Sequence, residues 1–147
     1  MKIQDIMTRD PRCVTADDSV REAAQVMKRE DVGIVPVVEA KSGRQLVGVV
    51  TDRDIAIRCI ADGKDGNCRV RDVMSTSNIA TAHESDDVED AMEAMRTEKV
   101  RRIPIVDERG SLVGIVSQAD VLRKTSDTSR AGETVERISE PGGRHTQ

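Results

Sequence analysis

Two stretches of the chain carry apolar residues at helical spacing. Val20, Ala23, Ala24 and Met27 fall at i, i+3, i+4 and i+7, and Val88, Ala91, Met92 and Met95 repeat the pattern. Such spacing predicts a helix with one apolar face. Asp17–Ser19 and Ser85–Asp87 supply capping residues at the two starts. Short β-branched runs follow, Ile34–Val38 and Ile103–Val106, each closed by a Gly-bearing turn, "AKSGRQ" or "DERGS". Second strands are expected over Leu46–Val50 and Leu112–Val116, each leading into a second helix, the first ending near Gly63 as a C-cap. Extended residues around Cys13–Thr15 and Ile79–Thr81 add an edge strand before each first helix.

The two halves are copies of one unit. "IQDIM" (Ile3–Met7) is echoed by "VRDVM" (Val70–Met74), "SVREAAQVM" (Ser19–Met27) by "DVEDAMEAM" (Asp87–Met95), and "IVPVV" (Ile34–Val38) by "RIPIV" (Arg102–Val106). Small drifts in offset place the insertions in loops and leave the elements at constant length. Each unit therefore reads β-α-β-β-α, an α+β architecture with about three strands covered by helices on one face. Units of this size bury little core alone, so the two are expected to pack together. The expected boundaries are repeat one at 1–63, a linker at 64–69, repeat two at 70–124, and a polar tail at 125–147 expected to be mobile.

Composition narrows the function classes. A net charge of −4 with 34% charged residues of mixed sign argues against a nucleic-acid binder. No run approaches the roughly 18 apolar residues of a membrane span, and "MKIQDIMTRD" lacks a signal-peptide stretch. The expectation is a soluble cytoplasmic protein. Cys13, Cys59 and Cys68 show no CxxC spacing and read as reduced thiols. With only His83 and His145 besides, neither a metal site nor a disulfide framework is expected. The chain contains no Phe, Tyr or Trp, so the core must be aliphatic and a planar ligand would find no aromatic ring to stack on.

The chemistry sits in a repeated string. "LVGVVTDRDIA" (Leu46–Ala56) ends its strand at Thr51 and places Asp54 three residues on; "LVGIVSQADVL" (Leu112–Leu122) does the same with Ser117 and Asp120. Two readings are open. Ser or Thr with an acid three residues later is a capping box, in which side chains and backbone N–H groups satisfy one another. Equally, a carboxylate in the first helical turn can accept both hydrogen bonds of a vicinal diol, as acidic residues do for ribose in α/β nucleotide sites. The hydroxyl could then reach a ribose oxygen or a phosphate.

The strands "IVPVV" and "RIPIV", with Pro36 and Pro104, and the strings Gly48–Asp54 and Gly114–Asp120 resemble paired CBS domains, the arrangement called a Bateman module. The resemblance runs from about Ile3 to Lys124. It implies tandem repeats related by a pseudo-two-fold axis, with two clefts between them. Thr51 and Asp54 would serve one cleft, Ser117 and Asp120 the other. Main-chain groups at Ile34, Val35 and Pro36, and at Ile103 and Pro104, would flank an adenine. The implied ligand is an adenosine derivative such as AMP, ADP, ATP, S-adenosylmethionine or NAD, acting as a regulatory ligand with no cofactor. The resemblance also implies a homodimer through the repeat helices and an unknown regulated protein.

The halves are not identical. Arg101 and Arg102 enter the strand of repeat two where repeat one has Gly33 and Ile34, and the resemblance makes these arginines candidate phosphate partners. Arg53 is either a further one or a surface charge. Met27, Met92 and Met95 belong to the core, Cys13 reads as a buried structural cysteine, and His83 as a solvated residue. No nucleophile–base arrangement suggests catalysis. The reading is a regulatory sensor of adenosine nucleotides; the alternative is a ligand-free CBS-pair scaffold for dimerisation.

Overall fold

The repeated string predicts two copies of one small unit, and the computed structural model, which describes residues 1–124, contains both. The elements in order are β1 (Thr8–Arg9), β2 (Val14–Thr15), α1 (Val20–Glu30), β3 (Ile34–Val38), β4 (Leu46–Thr51), α2 (Asp52–Ile55), β5 (Ala82–His83), α3 (Val88–Glu98), β6 (Arg102–Val106), β7 (Leu112–Ser117) and α4 (Gln118–Lys124). A π-helical turn, Ala56–Ile60, extends α2. The expected tail, 125–147, lies outside the described residues.

One compact unit is Arg12–Ile79. Its sheet has the order β2-β3-β4, with β2 parallel to β3 and β3 antiparallel to β4. Helix α1 makes the crossover between the parallel strands. Ser19 caps it by accepting from the Glu22 N–H at 3.2 Å. Val20, Ala23 and Met27 are buried on its inner face, but Ala24 is exposed. The buried stripe runs through the half-buried Val26 instead, because Ala24 sits about 40° past Val20 on the far side.

The other unit joins Met1–Pro11 to the described residues 80–124. Its sheet has the order β1-β7-β6-β5, where β1 and β6 flank β7 antiparallel and β5 lies parallel to β6. Strand β1 was not apparent in the sequence pattern, because two exposed residues carry no alternation. The core gathers Ile3, Ile6 and Met7 with Met92, Met95, Ile103, Ile105, Val116 and Val121. Both sheets carry a register shift at matching places, Val37/Val38 and Ile105/Val106.

The compact units exchange the segments that lead into the repeats. Ile3–Asp5 and Val70–Asp72 are short 3-10 turns. The Ile3 N–H donates to Asp86 O at 2.9 Å, the Gln4 N–H to Glu84 O at 3.0 Å, and the Val88 N–H to Met1 O at 2.9 Å. In the other unit the Val70 N–H donates to Asp18 O at 2.9 Å, the Arg71 N–H to Ala16 O at 2.9 Å, and the Val20 N–H to Cys68 O at 2.8 Å. Each leading segment thus docks beside the first helix of the other sequence repeat. Pairing one residue further on explains the glycines of the repeated string. A Cβ on Gly48 would stand 2.6 Å from Ser75 O, and one on Gly114 would stand 3.1 Å from Thr8 O. Gly48 is therefore there for close backbone approach, whereas at Gly114 the Met7 side chain comes nearer still, with its Sδ 2.5 Å from such a Cβ.

Candidate functional site

Each unit turns sharply from strand to helix at the same place. In the unit Arg12–Ile79 the turn follows β4. The Asp52 N–H donates to Gly33 O at 2.9 Å, which ties the start of α2 to the residue before β3. The capping box is complete: the Asp54 N–H donates to Thr51 Oγ1 at 3.0 Å, and the Thr51 N–H donates to Asp54 Oδ2 at 3.0 Å. In the other unit the Gln118 N–H donates to Arg101 O at 2.9 Å, the Asp120 N–H to Ser117 Oγ at 3.1 Å, and the Ser117 N–H to Asp120 Oδ2 at 2.9 Å. Both carboxylates are thus held by one oxygen and aimed by it. Asp54 and Asp120, 9% and 7% exposed, are the buried charged residues among those described. A buried carboxylate needs partners for its remaining lone pairs, and here the corners diverge.

At Asp54 the second oxygen, Oδ1, meets, among the described residues, only the Ser75 hydroxyl, at 3.5 Å; the same hydroxyl lies 3.4 Å from Oδ2. Those distances are long for O–H···O bonds, so Oδ1 keeps acceptor capacity. Ser75 is put there by the leading segment, through the Ser75 and Val49 N–H and C=O pairs at 2.8 and 3.0 Å. Arg58 fixes the segment's approach by donating to Val73 O at 3.2 Å and Met74 O at 3.3 Å. At Asp120 the corresponding oxygen is taken by the Arg123 guanidinium at 2.5 Å. The repeat-one counterpart of Arg123 is Ile57, which cannot make that pair.

The other expected site residues take definite places. Ile34 pairs with Thr51 and Pro36 with Val49, while Ile103 pairs with Val116 and Pro104 with Ile115. Ile34, Val35, Pro36, Ile103 and Pro104 are all buried. Arg102 opens β6 opposite Ser117, half-buried. Arg101 is also half-buried, and its Nε is enclosed with no partner among the described residues, as is Gln118 Oε1. Arg53 is exposed, with its backbone N–H on Asp52 Oδ1 at 2.8 Å. Ser75 and Arg123 escaped the sequence reading. A signal for Ser75 existed: the echoed strings "IQDIM" and "VRDVM" are each followed by a hydroxyl, Thr8 and Ser75. Among the described residues no group of three His, Cys, Asp or Glu side chains gathers as a metal site, and no helix is long and apolar enough to cross a membrane.

Two matched strand–helix corners on duplicated α+β units define a tandem pair of CBS domains. The chain belongs to the CBS domain family, whose pattern matches residues 3–59 and 70–127. It is 39% identical over 137 residues to the CBS domain-containing protein YhcV of Bacillus subtilis, covering 93% of this chain and 94% of that one. It is 32% identical over 120 residues to Hypoxic response protein 1 of Mycobacterium tuberculosis, 82% of either chain. A crystal structure of Hypoxic Response Protein I with two coordinated zinc ions matches with a TM-score of 0.76 and 31% identity, over 85% of this chain and 99% of that one. CBSX2, solved in complex with AMP, matches with a TM-score of 0.69 and 29% identity, over 83% and 93%.

Proposed function

We propose that this chain is a regulatory, non-catalytic module that binds an adenosine nucleotide, holding the ribose diol on Asp54 and on Asp120. The observation that carries the reading is the geometry of Asp54. One oxygen is fixed by the capping box, and the other is buried, oriented and short of a strong partner. A vicinal diol supplies two donors to such a carboxylate, and Thr51 and Ser75 supply hydroxyls beside it. The AMP complex of CBSX2 supports an adenosine ligand. The main chain at Ile34–Pro36 and at Ile103–Pro104 would then flank the adenine, and Arg101 and Arg102 would meet phosphate. The enclosed Arg101 Nε, unpaired among the described residues, favours this role.

Calorimetric titration with AMP on Asp54→Ala and Asp120→Ala tests the claim. Losing a cap alone costs about 0.5–2 kcal/mol of stability, visible as a lower Tm, with nucleotide affinity unchanged. Losing the ribose partner abolishes binding at that corner in a protein that still melts cooperatively. Full affinity in the double variant ends the nucleotide reading. It would leave the CBS pair as a ligand-free dimerisation scaffold.

Dimerisation itself is part of the proposal. Ile57 and Ile60, 45% and 61% exposed in the π-helical turn after α2, are the apolar side chains the proposal assigns to the dimer contact. Sedimentation at micromolar concentration should show a dimer that Ile60→Glu weakens; a monomeric wild type contradicts it.

A further inference from the structure

Cys59 and Cys68 are brought together by the loop between the repeats. Cys59 is fully buried in the π-helical turn after α2 and belongs to the core of its unit, against which the half-buried Cys68 packs. One carbonyl ties them: Asp65 O accepts from Cys59 Sγ at 3.2 Å and from the Cys68 N–H at 3.1 Å. The Lys64 N–H donates back to Cys59 O at 2.9 Å, so the chain between the cysteines is folded on itself. The Cys59 thiol and the Cys68 backbone therefore converge on a single oxygen, while Cys68 Sγ lies 3.7 Å from Arg69 O. The third cysteine, Cys13, is buried beside β2.

We propose that Cys59 and Cys68 are a reversible thiol–disulfide pair, closing a short covalent loop when the protein meets a low-molecular-weight organic disulfide. The inference stands apart from the nucleotide reading. In the first step the Cys68 thiolate attacks the organic disulfide, RSSR, forming a mixed disulfide and releasing one RSH after protonation. In the second, the Cys59 thiolate attacks Cys68 Sγ and releases the other RSH. Two protein thiols are oxidised and one organic disulfide is reduced, with the protons leaving on the two thiols. Cys68 is the entry point because it is the partly exposed member of the pair. Burial, and then contact with Cys59, pushes the Cys68 thiol up from its ordinary value. Little thiolate is therefore present at neutral pH, and the pair closes faster as pH rises. The closed loop would clamp the end of the α2 segment to the chain leading into Val70–Asp72 and, beyond it, Ser75.

The test uses the full chain with glutathione disulfide. Excess reagent is added, remaining thiols are alkylated, and tryptic peptides are weighed. Trypsin cuts after Arg58, Lys64 and Arg69, which puts the cysteines on separate peptides, CIADGK and DGNCR. The expected product is those two peptides joined, lighter by two hydrogens than their sum, restored by a reducing thiol. It should form faster at alkaline than at neutral pH, and Cys13 should remain alkylated. Cys68→Ser should leave Cys59 reduced, and Cys59→Ser should leave glutathione on Cys68. Linkage to Cys13, stable glutathione on Cys68 in the wild type, or no reaction at either cysteine would overturn the proposal.

Discussion

At the scale of single residues, the two corners are built from one design and finished differently. The capping boxes Thr51/Asp54 and Ser117/Asp120 were legible in the sequence because Ser or Thr with an acid three residues on is a local pattern. Ser75 and Arg123 were not. Ser75 lies 21 residues from Asp54, and only the fold brings it there; Arg123 is three residues from Asp120 and looks like any charge at the end of a helix. If both corners hold a ribose, the difference sets an order between them. A ribose at Asp120 must displace Arg123 or share the carboxylate with it, whereas among the described residues Asp54 Oδ1 meets only a long contact from Ser75. Arg123 is 62% exposed at its side chain, so the pair is worth about 0–1 kcal/mol. Arg123→Ala should therefore tighten adenosine binding at Asp120 by up to about fivefold and leave Asp54 unaffected. Weaker AMP binding with unchanged adenosine binding would make Arg123 a phosphate partner instead. Arg102→Ala should cost AMP roughly 1.5–3 kcal/mol over adenosine if Arg102 meets the phosphate. Titrating both variants with both ligands resolves these outcomes.

At the scale of elements, periodicity located most of the structure. The helices α1 and α3, with caps at Ser19 and Asp87, follow from apolar spacing and short polar residues before it. The inner strands β3, β4, β6 and β7 follow from β-branched runs bounded by turns. The edge strand expected at Ile79–Thr81 forms slightly later, at Ala82–His83, because two-residue strands have no period to read. The second helix of repeat one also ends at Ile60, short of Gly63, whose φ of +79° belongs to the turn that follows. The glycines inside the repeated string carry part of the family resemblance, and their neighbours show a packing role. Ser75 O is backbone held in a two-bond bridge to Val49, so it cannot retreat from an added methyl. At Gly114 the nearest obstacle is the flexible Met7 side chain. Gly48→Ala should destabilise by about 1–3 kcal/mol and more than Gly114→Ala. Because Ser75 would shift away from Asp54, Gly48→Ala should also weaken nucleotide binding. Equal Tm losses in the two variants would show that the Thr8 backbone is as unyielding as that of Ser75.

At the scale of the whole molecule, the repeats of the sequence and the units of the fold have different boundaries. Duplication is visible in the echoes, but which copy of a leading segment packs on which helix is not, since "IQDIM" and "VRDVM" present the same apolar positions to either partner. The structure puts Ile3, Ile6 and Met7 in the core with Met92 and Met95, and Val70 and Val73 in the core with Val20 and Met27. Ile3, Val70 and Val73 are fully buried, and burying such a side chain contributes about 1.5–3 kcal/mol. Cutting the chain by repeat therefore damages both halves. A fragment of residues 1–69 lacks Val70 and Val73, as well as Ser75, and carries the leading segment of the other unit with no partner for it. A fragment of residues 12–79 keeps its whole core, its bridge from Val49 to Ser75 and its Arg58 contacts. The second fragment should be the better folded, although it omits residues 1–11 of repeat one altogether. Circular dichroism on heating should show a cooperative transition for 12–79 and a broad or absent one for 1–69. Removing residues 1–11 from the full chain should likewise lower the melting of the other unit first, because Ile3, Ile6 and Met7 leave a core that Met92 and Met95 cannot close alone. A fragment of residues 1–69 that melts as sharply as 12–79 would mean that the leading segment can return to its own repeat.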